Sequence, residues 1–101
     1  MWYFVLNSNC LLDNSGQQIE VHSVPLAIFR LQGKLYAFQA YCPHRMGRLG
    51  VVGLLDHPYL ICSLHNWKFE LQTGKNLQTS DHLRTYPIRE SENQIWVQLE
   101  I

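Results

Sequence analysis

No run of apolar residues in this 101-residue chain approaches the roughly 18–20 needed to cross a bilayer. Its apolar start, Met1-Trp2-Tyr3-Phe4-Val5-Leu6, is short and lacks both a basic leading region and a small-residue cleavage site. It therefore reads as a first strand rather than a signal peptide, and a cytoplasmic location is expected. An excess of one charge is also missing: eight acidic residues balance eight basic ones. A nucleic-acid-binding domain should show a basic face, so that class has no support here. There is no internal repeat, low-complexity tract or linker, and the length fits one domain over residues 1–101. Hydrophobic residues at 47% and charged residues at 16% exclude a disordered or fibrous chain.

Cysteine is scarce. The three residues, Cys10, Cys42 and Cys62, are an odd number, which argues against a disulfide framework, and two of them lie beside histidines. Cysteine placed that way in a cytosolic chain points to metal binding. Cys10 has no such company and is expected to be a free, partly buried thiol.

Helical periodicity is missing as well. The apolar runs are short and rich in β-branched and aromatic residues, as strands are. The expected strands are Trp2–Leu6, Ile19–His22, Leu26–Leu31, Leu35–Gln39, Tyr59–Cys62, Lys68–Leu71, Leu83–Arg89 and Gln94–Glu100. Gln32-Gly33 should close one hairpin, Thr73-Gly74 marks a second turn, and Ser91-Glu92-Asn93 should close another hairpin. Ile95, Val97 and Leu99 alternate with polar neighbours, apart from Trp96, as a half-buried strand requires. Many short strands with such turns imply an all-β sandwich or small barrel of antiparallel sheets.

Two segments between strands have a different composition. Cys42-Pro43-His44-Arg45-Met46-Gly47-Arg48 contains C-x-H, and Cys62-Ser63-Leu64-His65-Asn66-Trp67 contains C-x-x-H. A lone His in a β protein is usually a surface residue and a lone Cys usually a core one. Here a Cys and a His fall two or three positions apart twice, each time beside a strand end, which unrelated roles do not explain. Two Cys and two His would satisfy a structural zinc. Finger spacing, however, pairs Cys with Cys and His with His. One of each per loop matches a cluster whose two irons take two thiolates and two imidazoles.

With Leu35-Tyr36-Ala37-Phe38 before the first loop, Phe69-Glu70-Leu71-Gln72-Thr73-Gly74-Lys75 after the second, and Tyr86-Pro87-Ile88-Arg89 leading into the last strand, residues 25 to 101 resemble the Rieske-type 2Fe–2S ferredoxin family. The resemblance implies a fold of stacked antiparallel sheets, with two cluster-binding loops at one tip. It implies one 2Fe–2S cluster, with Cys42 and Cys62 on the inner iron and His44 and His65 on the outer one. It also implies one-electron transfer through the histidines, with no independent catalytic site. The sequence departs from the family pattern at Met46, at Ser63 where Pro is common, and at Asn66 where Gly is frequent. Asn accepts positive φ better than most residues, so that exchange is conservative. Met46 should make the first loop locally different.

High-potential members of the family add an interloop disulfide and hydroxyl groups that donate to the cluster sulfurs. The matching positions here hold Gly47 and Leu64, which cannot bridge, and Trp67 and Phe69, which have no O–H. Hydrogen bonds to sulfur stabilise the reduced cluster, so their loss lowers the potential, to about −150 to −100 mV. Trp67 and Phe69 should also pack beneath the loops. Arg45, Arg48 and Lys68 would make the tip basic and suited to an acidic patch on a partner. His22, His57 and His82 are read as ordinary surface residues.

The function that follows is a low-potential carrier moving single electrons from a flavin-dependent reductase to a ring-hydroxylating-type oxygenase. One alternative is the small Rieske subunit of an assimilatory NAD(P)H nitrite reductase, which should expose an apolar interface away from the tip. Another, from a different class, is a structural zinc module for protein binding. No nucleic-acid or membrane partner is expected.

Overall fold

The computed structural model describes residues 1–43, 47–64 and 66–100. Among these, ten strands form three antiparallel sheets. The first sheet has the order β1–β10–β9, from β1 (Trp2–Asn7), β10 (Gln94–Gln98) and β9 (Ile88–Ser91). The second runs β2–β3–β4–β8, from β2 (Ser15–Val21), β3 (Val24–Leu31), β4 (Lys34–Gln39) and β8 (Thr85–Tyr86). The third runs β5–β6–β7, from β5 (Gly53–Asp56), β6 (Tyr59–Cys62) and β7 (Trp67–Glu70). No helix among the described residues is long and apolar enough to cross a membrane.

The second sheet is the middle layer, and β3 shows why. Leu26 and Ile28 pack with Val5, Leu6, Ile95 and Val97 of the first sheet. Ala27 and Phe29, on the other face of the same strand, pack with Leu60 and Phe69 of the third. All four β3 residues are at most 1% exposed. A strand buried on both faces has no reason to alternate, so it reads as the continuous apolar run Leu-Ala-Ile-Phe. The strand β10, with one face outward, does alternate: Ile95 and Val97 are 0% exposed, while Trp96 turns out against Phe4 at a centroid distance of 5.9 Å.

Three hairpins close through two-residue turns in which both residues have positive φ: His22-Ser23, Gln32-Gly33 and Glu92-Asn93. Such turns match the right-handed twist of the strands they join. The strand expected at Ile19–His22 starts earlier, because Ser15–Gln18 also pair with β3, and it ends at Val21, so His22 belongs to the first turn.

The expected strand Leu83–Arg89 is two strands. Pro87 has no N–H for a ladder, so pairing stops there. Thr85 and Tyr86 pair with Phe38 and Ala37 of the middle sheet, whereas Ile88–Ser91 pairs with β10 of the first. The chain changes layers at Pro87. Two elements were not anticipated: β5, and the single helical turn α1 (Leu49–Val52) that precedes it. Both are too short to leave a period in the sequence. Cys10 lies on a 3-10 turn at Ser8–Cys10 and is exposed rather than partly buried, because it is the next residue, Leu11 at 2% exposed, that turns inward. His22, His57 and His82 are exposed, as expected.

Candidate metal centre

Both cysteines of the candidate motif end a segment of the core. Cys62 is the last residue of β6, paired with Gly53 on one side and Trp67 on the other. Cys42 follows β4 by three residues, just beyond buried Ala40. The two are 0% exposed and belong to one packed cluster with Leu49, Leu60 and Phe69. Two segments with no strand pairing between them thus place their cysteines in one buried cluster. None of the three cysteines is in a disulfide. His44, Arg45, Met46 and His65 lie outside the described residues.

The backbone around each thiol is closed by hydrogen bonds. The Cys42 N–H donates to Gly47 O at 2.9 Å, and an isolated bridge pairs Tyr41 with Arg48, so the two ends of the first loop are tied together. The Asn66 N–H donates to Cys62 O at 2.7 Å, which ties Asn66 back to Cys62. Asn66 adopts φ of 58°, the left-handed conformation that its place in the sequence anticipated. The Ser63 N–H donates to Val52 O at 3.3 Å and ties the second loop to α1.

The loops also meet directly. Gly47 and Leu64 face one another so closely that a β-carbon added to Gly47 would lie 2.6 Å from Leu64 Cδ1. Trp67 is half-buried and Phe69 fully buried beneath the loops, their rings 6.4 Å apart, as the packing role required. Lys68 is half-buried with its Nζ 5.7 Å from the Tyr59 ring centroid, while Arg48 is exposed at the base of the first loop.

Two glutamines that the sequence did not single out position the first loop. The Gln18 side-chain Nε2 donates to Ala40 O at 3.1 Å, and its Oε1 accepts from the Gly50 N–H at 2.9 Å. One side chain on β2 therefore holds both ends of the loop. Gln39 does similar work, donating to Tyr41 O at 2.9 Å and accepting from the Arg84 N–H at 2.7 Å. A Gln in a strand carries no local sequence signal for such a role. The spacing Gly50-Val51-Val52-Gly53 is a partial one, since a β-carbon at Gly50 would strike the backbone of Gln17 and Gln18, and one at Gly53 would strike Leu49 O.

The family model that matches is the Rieske [2Fe-2S] domain, over residues 1–87. The chain belongs to the Rieske family. A Rieske domain holds a 2Fe–2S cluster, and the site fits that group: two buried thiols from separate loops converge in one apolar cluster, as thiolate ligation of one iron requires. The structural-zinc alternative gives way to the cluster on this evidence. The cholesterol 7-desaturase nvd of Xenopus laevis is 36% identical over 75 residues, covering 73% of this chain and 16% of that protein. The chain thus spans about a sixth of that relative's length. The biphenyl dioxygenase ferredoxin subunit of Pseudomonas sp. (strain KKS102) is 36% identical over 74 residues, covering 71% of this chain and 68% of the subunit. A solved structure described as a nitrite reductase NADPH small subunit shares the fold, with a TM-score of 0.87 at 18% identity, over 98% of this chain and 99% of that one. The stacked-sheet Rieske architecture expected from the sequence is therefore the one observed.

Proposed function

We propose that this chain is a low-potential Rieske ferredoxin, a cytoplasmic single-domain carrier passing one electron at a time from a flavin-dependent reductase to a ring-hydroxylating-type oxygenase. Cys42 and Cys62 bind one iron of the cluster, and His44 and His65 bind the other. When bound, the cluster supplies reversible one-electron transfer. The residues of the chain do the rest. The buried neighbours Leu49, Leu60 and Phe69 keep water from the cysteines, and the hydrogen bonds of Cys42 with Gly47 and of Cys62 with Asn66 hold the cysteine backbones in place.

The observation that carries this reading is the convergence of the two buried thiols from two hydrogen-bonded loops. The match to a dioxygenase ferredoxin subunit over most of both chains supports the carrier role. The test is spectroscopic. Purified protein should be brown and, after reduction with dithionite, should show the electron-paramagnetic signal of a reduced cluster with mixed sulfur and nitrogen ligands. His65→Ala should abolish that visible spectrum, and an unchanged spectrum in this variant would refute the ligand assignment.

A second reading, the small subunit of an assimilatory NAD(P)H nitrite reductase, is favoured by one feature. Trp2, Phe4 and Trp96 turn away from the core of the first sheet, on the side of the molecule opposite the third sheet, and Phe4 remains 45% exposed. A permanent subunit should show such an apolar face away from its redox loops. Co-purification in a fixed ratio with a larger reductase subunit would establish this reading in place of the free carrier.

A further inference from the structure

The third sheet is an outer layer, and alternation along β6 sorts its side chains onto two faces. Leu60 and Cys62 point into the packed cluster that holds both motif cysteines, as do Leu55 and Phe69 opposite Leu60. Tyr59 and Ile61 therefore point outward, and the residues paired with them share that face. Leu54 and Lys68 flank Ile61, and Asp56 and Glu70 flank Tyr59.

The outward face is apolar where it adjoins the cysteines. Leu54 is 56% exposed, and Val51, three residues earlier on α1, is 68% exposed. Leu64 is 52% exposed, and the bond from the Ser63 N–H to Val52 O ties the chain just before it to α1. Among the described residues seven large apolar side chains are exposed, and these three gather beside the metal centre. Single exposed apolar residues are ordinary, whereas a group of them marks an interaction surface.

Charge is sorted along the same face. Arg48 precedes α1, and Lys68 lies in the row of Ile61, next to the row of Cys62. Asp56 and Glu70 share the row two residues farther along the strands. Among the described residues none of these four joins an ion pair. The face is thus basic toward the cysteines, apolar in its middle and acidic at its far end. Its complement is a surface with carboxylates at the matching near end and cations at the far one.

We propose that this face is the docking surface for the redox partner, a protein that sets an acidic edge against Arg48 and Lys68 and an apolar patch on Val51, Leu54 and Leu64. The proposal rests on the carrier reading. Burial of the apolar side chains supplies affinity, and the sorted charges turn the partner's redox group toward the segments of Cys42 and Cys62. The aromatic face of the first sheet, across the middle sheet, takes no part.

The test is stopped-flow reduction of the oxygenase component of a biphenyl dioxygenase, a system whose ferredoxin subunit is 36% identical to this chain. Reduced holoprotein is the electron donor. Val51→Thr/Leu54→Thr should lower the second-order rate constant about tenfold, the scale of a lost apolar anchor, and added salt should not restore it. Phe4→Thr, on the first sheet, should leave the rate unchanged. Asp56→Lys makes the face more basic but spoils its polarity, so transfer at low salt should slow. The visible spectrum of each variant should match that of wild type, which separates lost docking from a lost cluster. A wild-type rate from Val51→Thr/Leu54→Thr, an equal loss from Phe4→Thr, or faster transfer from Asp56→Lys would each overturn the proposal. So would a wild-type dimer in sedimentation equilibrium that Val51→Thr/Leu54→Thr dissolves, since the face would then belong to a second copy. Failure of the wild-type protein to reduce the oxygenase at all would instead overturn the carrier reading beneath it.

Discussion

Arg30 and Glu90 join two of the three sheets through a two-pronged ion pair, with Nη1 to Oε1 at 3.2 Å and Nη2 to Oε2 at 2.8 Å. The same guanidinium donates through Nε to Leu11 O at 2.8 Å and through Nη2 to Ser8 O at 3.3 Å, so it also holds the turn that leaves β1. This hydrogen-bonded pairing holds the Glu90 carboxyl down at about 2, below its ordinary value of 4.5. A lowered carboxylate pKa means that the folded state favours the charged form. The stability it contributes is present above pH 4.5 and is lost as the pH falls from there toward about 2. Because the pair is partly exposed, the effect is small, about 1 kcal/mol after solvent screening. Glu90→Gln should flatten the acid limb of denaturant-measured stability in that window. An acid limb identical to that of wild type would show the pair contributes nothing.

Gln18 should matter more than its place in a half-exposed strand implies. Gln18→Ala leaves the Gly50 N–H without its partner and removes one of the two donors to Ala40 O, which keeps the Leu49 N–H, so the loss should cost about 1–2 kcal/mol. Urea denaturation should register this destabilisation. Gln18→Glu should recover only the bond from the Gly50 N–H, because a carboxylate accepts and cannot donate to Ala40 O.

Asn66 separates backbone demand from side-chain demand. At φ of 58°, Asn66→Gly should be neutral to within about 0.5 kcal/mol, whereas Asn66→Ala should cost about 1 kcal/mol and Asn66→Val more. Equal stability for the alanine and glycine variants would contradict the left-handed turn.

The midpoint potential should lie at about −150 to −100 mV. Trp67 and Phe69 stand beneath the loops and bring no hydroxyl, and Gly47 and Leu64 meet without a bridge. A redox titration with a clearly positive midpoint would contradict this.

Arg48 is exposed at the base of the first loop, while Lys68 is half-buried beside the Tyr59 ring. Arg48→Glu should therefore slow reduction of an acidic partner at low salt, and the difference should fade as salt screens the charges. Stopped-flow reduction at two ionic strengths measures it. A rate unaffected at low salt would remove the electrostatic role.

Much of the centre was legible before any fold was known. The C-x-H and C-x-x-H pairs, the apolar run of β3 and the alternation of β10 are local, and each reports its chemistry or its burial directly. Asn66 announced its turn because few other residues accept that conformation. The layer change at Pro87 was present in the sequence as a missing N–H, yet the run Leu83–Arg89 masked it, since apolar content alone does not say which sheet a strand joins.

Residue identity and spacing determined the candidate ligand set and the β class, because donor atoms and side-chain periods are properties of short segments. Tertiary structure decided everything that depends on segments distant in sequence arriving at one point. Burial of Cys42 and Cys62 in a single cluster is of that kind, as are the clasp of Gln18 on both ends of one loop and the meeting of Gly47 with Leu64. A glutamine or a leucine looks alike in any strand or turn. Its function appears only when packing brings a partner within reach.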